Sequence, residues 1–136
     1  MYILGINAYH GDSSACIYHD GNLIAATEEE RFRRIKHWAG FPTQAIEFCL
    51  KEACISIQEV DYIAISRDPK ANFQKKVISA IKNKLSISNI ISRVKNLKKA
   101  SSIEDEFIAH FKLEKGALKA QIINVEHHRS HLASAF

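Results

Sequence analysis

Apolar and polar positions alternate from the second residue onward. Tyr2 to Tyr9 reads as a β-strand, and His10-Gly-Asp-Ser-Ser14 as a turn of residues that tolerate unusual backbone angles. Ala15 to His19 resumes an apolar strand, Asp20-Gly21 is a strong hairpin signal, and Asn22 to Glu28 supplies the return strand. Three antiparallel strands therefore open the chain. Residues 29–38 are charged and irregular, and Ala39-Gly-Phe-Pro42 leads to Thr43, the predicted cap of a helix with Ile46, Cys49, Leu50 and Ala53 on one face. Ser56 and Glu59 frame a short turn, and residues 61–66 form a further strand.

Beyond Pro69 the pattern turns helical. Val77, Ile78, Ile81 and Leu85 fit one amphipathic helix, and Ile90, Ile91, Val94 and Leu97 fit a second, with a break at 86–89. Ser101 and Glu104 have capping-box spacing for another helix, closing near Gly116. Residues 121–125 form the last strand and run into a segment, 126–136, whose small residues and Leu132 suit a buried helix. The order βββ, α, β, helical insertion, α, β, α predicts one α/β domain, a mixed sheet with helices packed on it.

Composition narrows the class. At 136 residues, with 46% apolar and 25% charged types, the chain has room for one ordinary globular domain. No apolar run approaches the ~18 residues of a membrane span, and no basic-then-apolar leader opens the chain, so a cytoplasmic protein without membrane contact is expected. The three cysteines (Cys16, Cys49, Cys54) form no C-x-x-C pair and sit in apolar stretches, as buried reduced thiols would. The net charge is +4, yet residues 70–100 carry nine Lys and Arg and no acid, which leaves the remainder net acidic. Such a block can touch nucleic acid or an anionic surface, or form the solvated face of an insertion.

Three segments could carry chemistry. In His127-His128-Arg129-Ser130-His131 a helix would put His127 and His131 on one face, about 5–6 Å apart at Cβ. Two such imidazoles can hold a divalent cation, whether iron, zinc, nickel or copper, or can cap a strand–helix junction. In the His10-Gly-Asp-Ser-Ser14 turn, Gly11 permits close approach of an anion, Ser13 and Ser14 can donate to phosphate oxygens, and His10 could polarise an acyl or phosphoryl group; the same turn could equally be only a turn. In Glu28-Glu-Glu-Arg-Phe-Arg-Arg-Ile-Lys-His37, Arg33, Arg34 and Lys36 could reach a substrate phosphate, or form local ion pairs on a solvated loop. Trp38 and Phe41 beside it read as core plugs.

Together these segments resemble one family. Asn7-Ala-Tyr-His-Gly-Asp-Ser-Ser-Ala15, Asp20-Gly21, residues 28–37, Gly40-Phe-Pro42 and His127-His-Arg-Ser-His-Leu-Ala-Ser-Ala-Phe136 are similar to the N-terminal region of the carbamoyltransferases of nodulation factors and antibiotics. The resemblance covers residues 1–66 and about 120–136, and leaves 70–100 as a variable insertion. It implies the first lobe of an actin/sugar-kinase/Hsp70-like (ribonuclease H-like) fold over 1–136, related to the Kae1-type domain. It further implies a second lobe and a YrdC-like domain, which makes carbamoyladenylate from carbamoyl phosphate and ATP. A carbamoyl group would then pass to the hydroxyl of a small sugar or antibiotic-like acceptor at a metal, generally iron, with zinc an alternative. By matching positions, His127 and His131 would be metal ligands, and His10 and Lys36 would lie at the carbamoyladenylate. Ser13 and Ser14 would contact it, and Asp12 would be a base or hydrogen-bond anchor. With the second lobe and the YrdC-like domain absent, the 136 residues alone would not turn over. Nucleic acid is not an expected partner on this reading. The alternative is a non-enzymatic nucleic-acid or partner-binding module that uses the 70–100 block.

Overall fold

A computed structural model describes residues 1–9, 11–66, 103–114, 116–126 and 129–130. The two helices expected within 70–100 and the bulk of the expected C-terminal helix lie outside them.

The opening strands form where alternation places them: β1 at Tyr2–Asn7, β2 at Ser14–His19 and β3 at Asn22–Glu28. Asp20 and Gly21 close the β2–β3 hairpin with φ of 48° and 83°, the left-handed pair a tight two-residue turn requires. Two parallel strands follow, β4 at Tyr62–Ile65 and β5 at Gln121–Asn124, giving the order β3-β2-β1-β4-β5. Leu4 lies opposite Ile17 on one side and Ile63 on the other, and Ile6 lies between Ala15 and Ile65. This is the mixed α/β sheet, opening with three antiparallel strands, that the actin/sugar-kinase/Hsp70-like expectation calls for.

One face of the sheet is packed. Leu4, Ile6, Ala15, Ile17, Ala25, Ile63 and Ile65 meet Ala45, Ile46, Cys49 and Leu50 of α2 (Thr43–Glu52). Ile103 and Phe107 of α3 (Ile103–Phe111) join the same core, and Phe107 stands edge-on to Phe41 at 5.1 Å between ring centroids. Phe41 is thus a core plug, as expected. Of the cysteines, Cys49 is buried, with its thiol pushed up to about 11 chiefly by desolvation, Cys16 is half-buried, and Cys54 is exposed rather than buried.

Several boundaries differ from the sequence reading. β1 stops at Asn7, because Tyr9 adopts a left-handed φ of 62°. The N-cap of α2 is Pro42, with Thr43 the first helical residue, so no local side chain caps the helix. Within the charged stretch Glu30–Arg33 forms a short helix, α1. The expected turn at 56–59 is one turn of 3-10 helix (Ile57–Glu59) with a Ser56–Glu59 capping box. α3 closes at Lys112 rather than near Gly116: Lys112 takes φ of 52°, and the Leu113 N–H donates back to the Ile108 carbonyl. α2 ends the same way, with Cys54 at φ 55° and Ile55 N–H on Leu50. Both ends are Schellman closures in which a residue other than glycine accepts the left-handed conformation.

The opposite face carries a row of small residues, Ala26, Cys16, Gly5 and Ala64, aligned by strand register. A Cβ on Gly5 would sit 2.8 Å from Cys16 Sγ, inside van der Waals contact. Gly5→Ala is therefore expected to destabilise the fold by about 1–3 kcal/mol, the usual range for overpacking. Cys16→Ala in the same chain should recover most of that loss, as a denaturant-unfolding double-mutant cycle would show.

Candidate functional site

The candidate site lies where the β1–β2 loop meets the segment after β3. Two hydrogen bonds from backbone N–H groups stitch them together, Tyr9 to the Gly40 carbonyl at 3.2 Å and Ser13 to the Trp38 carbonyl at 3.0 Å. The Ser13 hydroxyl adds a third, donating to Gly40 O at 2.8 Å. Ser13 is 1% exposed, so its hydroxyl holds the loop rather than facing solvent.

Behind this seam lies Glu29, 0% exposed. Its carboxylate accepts from Arg33 Nε at 2.6 Å, the Thr43 hydroxyl at 3.3 Å and the Ala45 N–H at 2.8 Å. The last bond supplies, from a distant part of the chain, the cap that Pro42 cannot give α2. A carboxylate at a helix N-terminus also meets the positive end of the helix dipole. The Glu29 N–H donates to the Ser13 carbonyl at 2.9 Å, tying the network to the β1–β2 loop. Arg33 donates onward to Thr43 at 3.0 Å and lies over the Trp38 ring at 4.4 Å. Arg33 is therefore committed to Glu29 and Trp38, not to a substrate phosphate. Trp38 is half-buried beneath it, and its indole N–H meets no partner among the described residues.

On the solvent side of the seam, Asp12 and His37 meet. Asp12 Oδ1 lies 2.8 Å from His37 Nδ1, and both residues are left-handed, with φ of 63° and 54°. The Asn7 amide donates to the Asp12 carbonyl at 3.2 Å, and the His37 N–H donates to Glu30 Oε2 at 3.2 Å. The hydrogen bond to Asp12, then its charge, then that of Glu30, hold the imidazole above the ordinary histidine value of 6.5. A group raised in the folded state contributes stability that is fully present below its unfolded value and lost as pH rises through the folded one.

An open hollow of about 800 Å³ lies over the small-residue face, at the carboxyl ends of β1 and β4. Asn7, Ser14, Glu28, Arg31, Ser66 and Ser130 supply its polar lining. Ser14 comes from the first candidate turn, and Ser130 from the histidine-rich segment, so the structure brings these two sequence signals to one hollow. Arg129 and Ser130 are helical, and the Ser130 N–H donates to the Glu126 carbonyl at 3.1 Å. Lys36 is exposed on the turn before His37. His10, His127 and His131 lie outside the described residues. Glu29, His37 and Asn7 are site residues that sequence reasoning missed: Glu29 is one of three consecutive glutamates, and Asn7 and His37 gain their roles only where the two loops meet around Asp12.

Architecture and site define an α/β sheet domain with an open, mainly apolar hollow that polar groups edge at the carboxyl ends of its parallel strands, a common place for ligands in such sheets. Comparison with known proteins names the family: the model for "Carbamoyltransferase N-terminus" matches residues 2–136. The chain belongs to the carbamoyltransferase N-terminal family. It is 53% identical over 74 residues to Uncharacterized protein sll1178 of Synechocystis, a stretch covering 54% of this chain and 12% of that protein. It is 41% identical over 58 residues to Nodulation protein NolNO of Sinorhizobium fredii, covering 43% of this chain and 8% of that one. Among solved structures, YeaZ from Pseudomonas aeruginosa aligns over 98% of this chain and 49% of its own, with a TM-score of 0.45 and 15% identity. The fold assignment rests on the observed strand order rather than on that likeness. Among the described residues, no helix is long and apolar enough to cross a membrane.

Two outcomes follow from the seam. Glu29→Gln leaves Arg33 without its ionic partner and is expected to lower stability by about 2–4 kcal/mol, below the full penalty for a buried pair because Arg33 is 30% exposed. Equilibrium unfolding in urea measures it. Asp12→Asn should bring the His37 titration midpoint, read from imidazole proton shifts, back toward 6.5.

Proposed function

We propose that the chain is the first lobe of the N-terminal domain of an ATP-dependent O-carbamoyltransferase. Family membership over residues 2–136 is the observation that carries this reading. Carbamoyl phosphate and ATP give carbamoyladenylate in a YrdC-like domain of the enzyme, and this domain takes part in passing the carbamoyl group to the hydroxyl of a sugar or antibiotic-like acceptor.

In this reading the β1–β2 loop and the 34–40 segment receive the adenylate. The Lys36 ammonium, exposed on its turn, balances the phosphate charge that grows as the leaving group departs. His10 and the Ser14 hydroxyl orient the donor by hydrogen bonds. The seam through Ser13, Trp38 and Gly40 fastens the two segments to each other, as a transition state that forms at one geometry requires.

His127 and His131 would hold the metal, iron or zinc. The donor set suits it, because both are imidazoles four apart in sequence, and imidazole ligates either metal. When bound, the metal supplies Lewis-acid polarisation of the carbamoyl oxygen.

His127→Ala and His131→Ala should each weaken iron or zinc binding by at least the ~10–100-fold typical of losing even an outer-shell partner. Equilibrium dialysis with elemental analysis measures this, and binding as tight as in the parent chain would remove the assignment. In the whole protein carrying this chain, the same changes should take carbamate formation to background. Charge reversal at Lys75, Lys76, Lys98 and Lys99 should leave it unchanged; were the chain a nucleic-acid module, those reversals would instead abolish salt-sensitive binding.

A further inference from the structure

We propose that His37, held by Asp12, is the general base that takes the proton of the acceptor hydroxyl; this rests on the carbamoyltransferase reading above. The imidazole and the carboxylate stand 25 residues apart in sequence and meet at 2.8 Å because their two loops are stitched along Tyr9–Gly40 and Ser13–Trp38. Each backbone is fastened separately, Asp12 through its carbonyl to the Asn7 amide and His37 through its N–H to Glu30.

Both residues adopt the left-handed conformation, which side-chain-bearing residues disfavour, and neither is compensated by burial: the side chains are 78% and 55% exposed. An exposed ion pair returns little stability for holding two side chains in one geometry. What distinguishes the pair is that two separately fastened backbones bring an imidazole and a carboxylate together at 2.8 Å while both stay open to solvent.

The geometry also assigns the proton. With Nδ1 donating to the carboxylate, the neutral ring carries its lone pair on Nε2. Asp12 orients the imidazole and stabilises its protonated form, the role a carboxylate plays behind a histidine base. Among the described residues, the charged groups acting on the ring are Asp12 and Glu30, both of which favour proton uptake. Lys36, the residue before it, is the cation assigned above to the donor phosphate, so base and donor are side by side along the chain.

The step balances. The acceptor oxygen bonds to the carbamoyl carbon while the bond from that carbon to the adenylate phosphate oxygen breaks. AMP leaves with the electron pair, and the hydroxyl proton passes to His37 Nε2 and then to solvent.

The test uses the whole protein carrying this chain, with carbamoyl phosphate, ATP and two probe nucleophiles. Glycerol must lose a hydroxyl proton as it attacks, whereas hydroxylamine attacks through a nitrogen lone pair already free. His37→Ala and His37→Gln are expected to slow formation of glyceryl carbamate by roughly 10²–10⁴-fold, the usual range for a lost general base, and hydroxyurea formation by less than about tenfold. Asp12→Asn should move the acidic limb of the glycerol pH–rate profile to lower pH, since the base then loses the group that raises it. Equal losses with both nucleophiles would make the histidine a structural tether, and unchanged rates with both would remove it from the reaction; either result overturns the proposal. A parent protein that makes neither product overturns the carbamoyltransferase reading itself.

Discussion

Glu29 sets the geometry on which the rest of this domain depends. Withdrawing a carboxylate from water costs several kcal/mol, and it is tolerated here because every direction around it is answered. Arg33 supplies the opposite charge at 2.6 Å, and Thr43 and Ala45 supply donors at the start of α2. Because the second helix is capped by this residue instead of by its own sequence, its first turn can form only where β3 delivers Glu29. That anchoring places Ile46, Cys49 and Leu50 in the core with Ile17 and Ala25 of β2 and β3. It also forces the chain between α1 and α2 to double back, bringing Trp38 and Gly40 alongside the first loop.

The strands were legible in the sequence because a single force wrote them. Burial on one face of the sheet demands alternation, and the Asp20-Gly21 pair answers the backbone requirement of the tightest hairpin. The core-facing side of α2, Ile46, Cys49 and Leu50, followed from the same logic at helical spacing. The ends of the helices did not follow, because a helix end is decided by competition between local preference and tertiary contacts. Cys54 and Lys112 take conformations that favour glycine, since Ile55 and Leu113 complete their hydrogen bonds only if they do. Pro42 could stand at the start of α2 without a capping side chain because a residue thirteen positions earlier performs that role.

The site was harder to read than the fold for a related reason. Glu28, Glu29 and Glu30 are identical letters in a row, yet the structure gives them three fates. Glu28 ends β3 and lines the open hollow. Glu29 is buried at the head of α2, and Glu30 begins α1 and accepts the His37 N–H. Nothing in composition separates them, because their roles depend on which way one strand exits the sheet. The histidine-rich segment and the first turn are different. Their residue types are uncommon enough to be noticed along the chain, and the pairing of β2 with β1, β1 with β4 and β4 with β5 is what carries Ser14 and Ser130 to one hollow.

The two ion pairs on either side of the seam show how the domain divides its labour. Glu29–Arg33 is shielded, so removing either partner disturbs the fold, and no solvent ion can stand in for it. Asp12–His37 is open to water, contributes little to stability, and would exchange freely among conformations if its backbone were loose. It is not loose. Tyr9, Asp12, Arg34 and His37 are all held at positive φ: Tyr9 donates to Gly40, the Asp12 carbonyl accepts from Asn7, and the N–H groups of Arg34 and His37 donate to Glu30, while Ser13 joins the two loops at Trp38 and Gly40. A shielded charge network can thus keep exposed groups in position without burying them, which leaves those groups open to an incoming molecule.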